Sequence, residues 1–195
     1  MPATTNAVDL QEWLRSAVVV IEAHPLPGDL PGSFERFILD HGRPYESRKL
    51  TKGERGIADA AIREHRSIHR KFERQRCFAN SQALLGNDDT KTMIYVEGFA
   101  WTHALGPVLH GWVTINGKVV DVTLPPTNRR EAKLAEPLQA LGEFSGRSYF
   151  GVPFLRSYVG RRREVTGAVG SLLDDEEHEY PLLKNGPGGA VRRRH

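Results

Sequence analysis

Apolar residues at Leu10, Trp13, Leu14, Ala17, Val18 and Ile21 recur at steps of three and four, so the pattern predicts an amphipathic helix from Val8 to about Ala23. His24-Pro25-Leu26-Pro27-Gly28 ends it, because proline cannot donate to the helical ladder. A short helix is expected over Ser33 to Asp40, stopped by His41-Gly42-Arg43-Pro44. Thr51-x-x-Glu54 has the form of a capping box and opens a helix expected to reach Glu73, with Ile57, Ala61, Ile68 and Phe72 turned inward. A break near Gln75 precedes another helical run, Cys77 to Leu85.

Beyond Gly86-Asn87-Asp88-Asp89 the period changes to two. Met93 to Trp101 predicts a strand with Ile94, Val96, Gly98 and Ala100 on one face and Tyr95, Glu97, Phe99 and Trp101 on the other. Val108 to Ile115 and Lys118 to Thr123 read as two strands joined at Asn116-Gly117, a strong two-residue hairpin signal. Arg129 to Leu141 reads as helix, Ser148 to Val152 as strand and Pro153 to Val159 as a short helix. The fold class is therefore α+β: N-terminal helices followed by a small antiparallel sheet. We expect one domain over 1–160, its core at 76–124. Acidic and glycine-rich runs beyond Arg161 predict a partly disordered extension over 161–195, with Gly188-Gly189 slim enough to enter a cleft.

Composition narrows the class. The chain of 195 residues is 39% hydrophobic, enough for a core, and no apolar run reaches membrane-spanning length, so no membrane partner is expected. The N-terminus lacks the charged and apolar regions of a signal peptide. One cysteine rules out an internal disulfide, and a reducing cytoplasm is the expected compartment. Net charge is +3, with basic residues concentrated between Lys52 and Arg76. That stripe could dock nucleic acid or an acidic protein, as a non-catalytic binding module would. Interleaved acids at helical spacing favour a solvated helix face instead. His65 and His69 stand one helical turn apart, but no third ligand accompanies them, so neither a metal nor another cofactor is expected.

The chemistry gathers in the stretch from Arg76 to Leu124. Cys77 opens a helix, where the dipole and unpaired amides favour a thiolate. His110 is a candidate base, and Asp121 a candidate orienter of its imidazole. If Ile115 and Lys118 close the hairpin, Asp121 stands opposite Trp112, and His110 lies diagonal to it. Diagonal neighbours on one face are about 7–8 Å apart, within reach of a histidine and a carboxylate. His103 is the competing base, without a carboxylate placed like Asp121. Oxyanion donors are the Cys77 backbone amide or the side chains of Gln75, Asn80 or Gln82. Gly98, Phe99, Trp101, Gly111 and Trp112 are the expected walls of a substrate cleft, or core.

This stretch, about a quarter of the chain, resembles the transglutaminase-like branch of the papain-type cysteine enzymes. The matching residues are Cys77-Phe78, Val96-Glu97-Gly98-Phe99, His110-Gly111-Trp112 and Asp121-Val122-Thr123. Gly111 stands where that family usually has alanine, Val122 where it has proline, and Gln75-Arg76 where tryptophan or glycine precedes the cysteine. The resemblance implies a papain/transglutaminase-like core and a Cys77-His110-Asp121 triad. It also implies acyl transfer from a peptide or amide substrate through a thioester: hydrolysis, deamidation or transglutaminase-type transfer.

Overall fold

In the computed structural model, residues 9–24, 32–69, 72–73, 75–102, 106–124, 148–166 and 170–192 are described. The expected helix at 129–141, and His103, lie outside them. Four helices precede most of the sheet: α1 (Leu10–Ala23), α2 (Phe34–His41), α3 (Lys52–His69) and α4 (Cys77–Gly86). Each of the first three starts as its sequence dictates. The Asp9 carboxylate caps the amides of Gln11 and Glu12, Ser33 caps Arg36, and Thr51 and Glu54 form the reciprocal capping box. α3 buries Ala58, Ala61 and Ile62, but near its C-terminal end Ile68 is 61% exposed where an inward position was expected.

Five strands form one antiparallel sheet: β1 (Arg43–Tyr45), β2 (Ile94–Thr102), β3 (Gly106–Ile115), β4 (Lys118–Val120) and β5 (Tyr149–Phe154), in the order β1-β5-β2-β3-β4. The sheet curls. Glu46, just past one edge strand, bridges Lys118 on the other edge, and its carbonyl accepts from the Val119 amide at 2.9 Å. The curl encloses a small core of Tyr45, Val96, Ala100, Trp112, Val119 and Tyr149. The outer face carries Tyr95, Phe99, Val113, Ile115, Val120, Phe150, Val152 and Phe154, packed in one core with residues of the helices. The two-residue alternation of β2 thus separates the two cores as its pattern predicts.

Two glycines allow the close approaches this requires. At Gly111 a Cβ would stand 2.8 Å from the Phe78 ring and 3.2 Å from its Cα, so α4 lies flush on β3 only without one. That is a physical reason for glycine at the position where alanine was anticipated. At Gly98 a Cβ would strike the backbone of Phe150 and Gly151 on β5.

The C-terminal part differs from expectation. Residues 153–154 complete β5, and the helix that follows, α5, runs Arg156–Thr166. Several described residues of 161–195 are buried against the rest of the chain, although Val165 is 79% exposed. A 3₁₀ turn (Glu176–His178) and α6 (Pro181–Asn185) follow, with Leu172, Leu173, Leu182 and Ala190 all buried. Val191 bridges Phe154, and the Leu155 amide donates to the Ala190 carbonyl at 2.8 Å. Scattered apolar residues in a polar, glycine-rich segment suffice because each meets an existing apolar surface. No helix among the described residues is long and apolar enough to cross a membrane.

Candidate active site

The hairpin register is the one its turn dictates: Ile115 pairs with Lys118, Thr114 with Val119 and Val113 with Val120. Asn116 and Gly117 both take positive φ, as a two-residue turn of this type needs. His110 and Asp121 consequently meet, with Nε2 2.9 Å from Oδ2. Both are buried, at 3% and 1% side-chain exposure. The Cys77 side chain lies near enough to the His110 imidazole to raise its pKa. With Nε2 committed to Asp121, Nδ1 is the nitrogen left for sulfur. Cys77 itself is only partly buried. The three residues named from the sequence therefore converge, with the imidazole between thiol and carboxylate.

Burial opposes charge on His110, yet the Asp121 carboxylate and the Cys77 sulfur outweigh it and push its pKa up to about 9. Burial likewise works against ionised Asp121, but His110 and the Thr123 and Leu124 amides hold its pKa below the usual carboxylate value. Those two amides donate to Oδ1 at 2.9 and 3.2 Å, so the turn after β4 is wrapped around the carboxylate. Trp112 stacks near-parallel to the imidazole, with centroids 6.2 Å apart at 16°.

At the nucleophile end, Arg76 is the N-cap of α4 and supplies no side-chain cap to the amides of its first turn. Gln75, exposed and at φ 62°, precedes it. The structure gives the other two amide side chains different work. Both Nδ2 hydrogens of Asn80 are taken, by the Glu73 carbonyl at 2.7 Å and Thr123 Oγ1 at 3.0 Å. Asn80 thus ties the nucleophile's helix to the Asp121 turn. Gln82 Nε2 donates to Tyr95 Oη at 3.3 Å and to the Gly170 carbonyl at 2.7 Å.

Of the residues expected as cleft walls or core, Trp112 and Phe99 are buried and Trp101 is partly buried. Trp112 is fully buried, Phe99 packs edge-on against Trp13 at 4.9 Å, and Trp101 lies against the larger core. Gly98 and Gly111 sit within strand pairs. No group of three or more metal-ligating side chains is present among the described residues, and His65 stacks on Phe72 at 4.1 Å.

Comparison with protein-family models, curated proteins and solved structures finds no match.

Two groups escaped the sequence reading. Tyr149, on β5, donates its hydroxyl to Asp121 Oδ2 at 3.0 Å. Nothing near position 149 signals that role, which only the pairing of β5 with β2 creates. Glu97 is fully buried and accepts from Tyr95 Oη, Ser171 Oγ and the Leu172 and Leu173 amides, at 2.7–3.2 Å. Burial raises its pKa, partly offset by those donors. Here a signal existed: an acid on the otherwise apolar face shared by Tyr95 and Phe99 needs internal partners.

Proposed function

We propose that the protein is a thiol-dependent acyl-transfer enzyme acting on an amide, with Cys77 as nucleophile, His110 as acid and base, and Asp121 as orienter. The observation that carries this reading is the buried His110 imidazole, held by the Asp121 carboxylate on one nitrogen, with the Cys77 side chain close enough to raise its pKa. A helix-start cysteine packed on an antiparallel sheet that bears the histidine also fits the papain/transglutaminase-like core implied by the sequence resemblance.

The chemistry follows from these positions. In the resting pair His110 holds the proton, as its raised pKa favours, and the Cys77 sulfur attacks the carbonyl carbon as the thiolate. The oxyanion that forms is received by backbone N–H groups at the start of α4. His110 then protonates the departing amine, the C–N bond breaks, and a thioester remains. Water, or a second amine, attacks that thioester with His110 accepting its proton, and the C–S bond breaks to restore the thiol. Asp121 stays ionised and keeps the ring in the productive tautomer. The substrate is a peptide bond or a glutamine side chain. A chain whose only sulfhydryl is its nucleophile suits a reducing compartment such as the cytoplasm.

Labelling with iodoacetamide at neutral pH, followed by mapping of the modified residue, tests the pair without knowledge of the substrate. Cys77 is expected to react, with His110→Ala slowing the reaction by about tenfold or more. Asp121→Asn should slow it less but abolish thioester turnover with an activated amide. If His110→Ala alkylates at the wild-type rate, Cys77 and His110 do not act together.

A further inference from the structure

We infer that Tyr149 is a positioning residue of the candidate site: its hydroxyl shares Asp121 Oδ2 with His110 and sets how strongly the carboxylate holds the imidazolium. This inference rests on the proposed triad.

The geometry is specific. Oδ2 receives both His110 Nε2 at 2.9 Å and Tyr149 Oη at 3.0 Å, while Oδ1 receives the two turn amides. The carboxylate is thus supplied with four donors, of which one side chain comes from β3 and the other from β5. Tyr149 is 2% exposed, so its hydroxyl competes with no bulk water for that oxygen. The same ring meets Trp112 edge-on at 5.2 Å, and Trp112 in turn stacks on His110. One side chain therefore bears on the imidazole by two routes, through its acceptor and through the ring beside it. Among the described residues, the titratable side chains facing the His–Asp pair are Cys77 from α4 and Tyr149 from β5.

The physical consequence has a definite sign. A second donor on Oδ2 spreads the carboxylate's charge and weakens its pull on the imidazolium. Without that donor, Asp121 holds the proton on His110 more firmly and carries it to higher pH. Too firm a hold would leave His110 a poor acid toward the departing amine. Tyr149 moderates it.

The test is the pH titration of the His110 ring, followed by NMR on the full-length protein labelled at histidine. Tyr149→Phe should move the His110 titration upward by about one pH unit, with the fold kept. Site-specific 3-fluorotyrosine at 149, which is nearly isosteric and a stronger donor, should move it downward. Should Tyr149→Phe fail to fold, the fluorotyrosine protein alone decides. A lowered melting temperature with the His110 titration unmoved in either variant overturns the inference, since Tyr149 would then only fill space beside Trp112. Iodoacetamide kinetics of wild type and His110→Ala, run in parallel, report separately on the thiol pair. The titration can therefore fail while the enzyme reading stands, or succeed while that reading falls.

Discussion

His110 sits where two effects oppose each other. A buried imidazole resists charge, but this one lies between a carboxylate and a sulfur, and its pKa rises to about 9. In an unfolded chain the ring titrates near ~6.5. A group whose folded pKa is raised adds stability that is fully present below the unfolded value and is lost as pH rises through the folded one. Thermal melts from pH ~6 to ~10 should therefore show stability falling between about 6.5 and 9. In His110→Gln that slope should disappear. A wild-type melting temperature flat across this window would show that the imidazolium is not held in the folded state.

Contacts between elements bring the site together, and Glu54 illustrates how. It closes the capping box of α3 and also reaches the β3–β4 turn, accepting from Lys118 Nζ at 2.7 Å and Asn116 Nδ2 at 3.0 Å. Lys118 first, then the Thr51 amide and Asn116, lower its pKa to about 2. The turn it grips sets the register that brings Asp121 to His110. A carboxylate with a depressed pKa contributes stability above its unfolded value, near ~4.5, and loses it as pH falls. Glu54→Ala should cost about 1–3 kcal/mol in urea unfolding at neutral pH. The gap from wild type should narrow as pH drops from ~5 to ~2. An equal gap at both ends would mean that Glu54 acts by packing and not by charge.

At the scale of the molecule, described residues of the C-terminal segment are held against the rest of the chain. Glu97 holds residues 171–173 from inside the core, Gln82 on α4 reaches Gly170, and Leu182 and Ala190 are buried beyond them. Deleting everything after Tyr180 removes Leu182, Ala190 and the Val191 bridge to β5. The melting temperature should then fall by about 5–10 °C, the size expected from losing two or three buried contacts in a chain of this length. An unchanged melt would show that α6 and the residues after it are loosely held.

Local chemistry was enough to read from the sequence the helix starts, the strand alternation and the hairpin at Asn116-Gly117. A cap, a period of two and a turn that requires positive φ each depend on residues within a few positions of one another. The His110–Asp121 pairing belongs here as well, since two strands joined by a two-residue turn have a single register. Cys77 could be named from its place at a helix start, but its arrival at His110 depended on α4 lying on β3, for which Gly111 clears the space. Tyr149, the curl that brings Glu46 to Lys118, and the burial of the C-terminal segment were decided only in three dimensions. Each joins residues tens of positions apart, and whether a hydroxyl or a leucine finds its partner there depends on which surfaces the rest of the chain has already left to be covered.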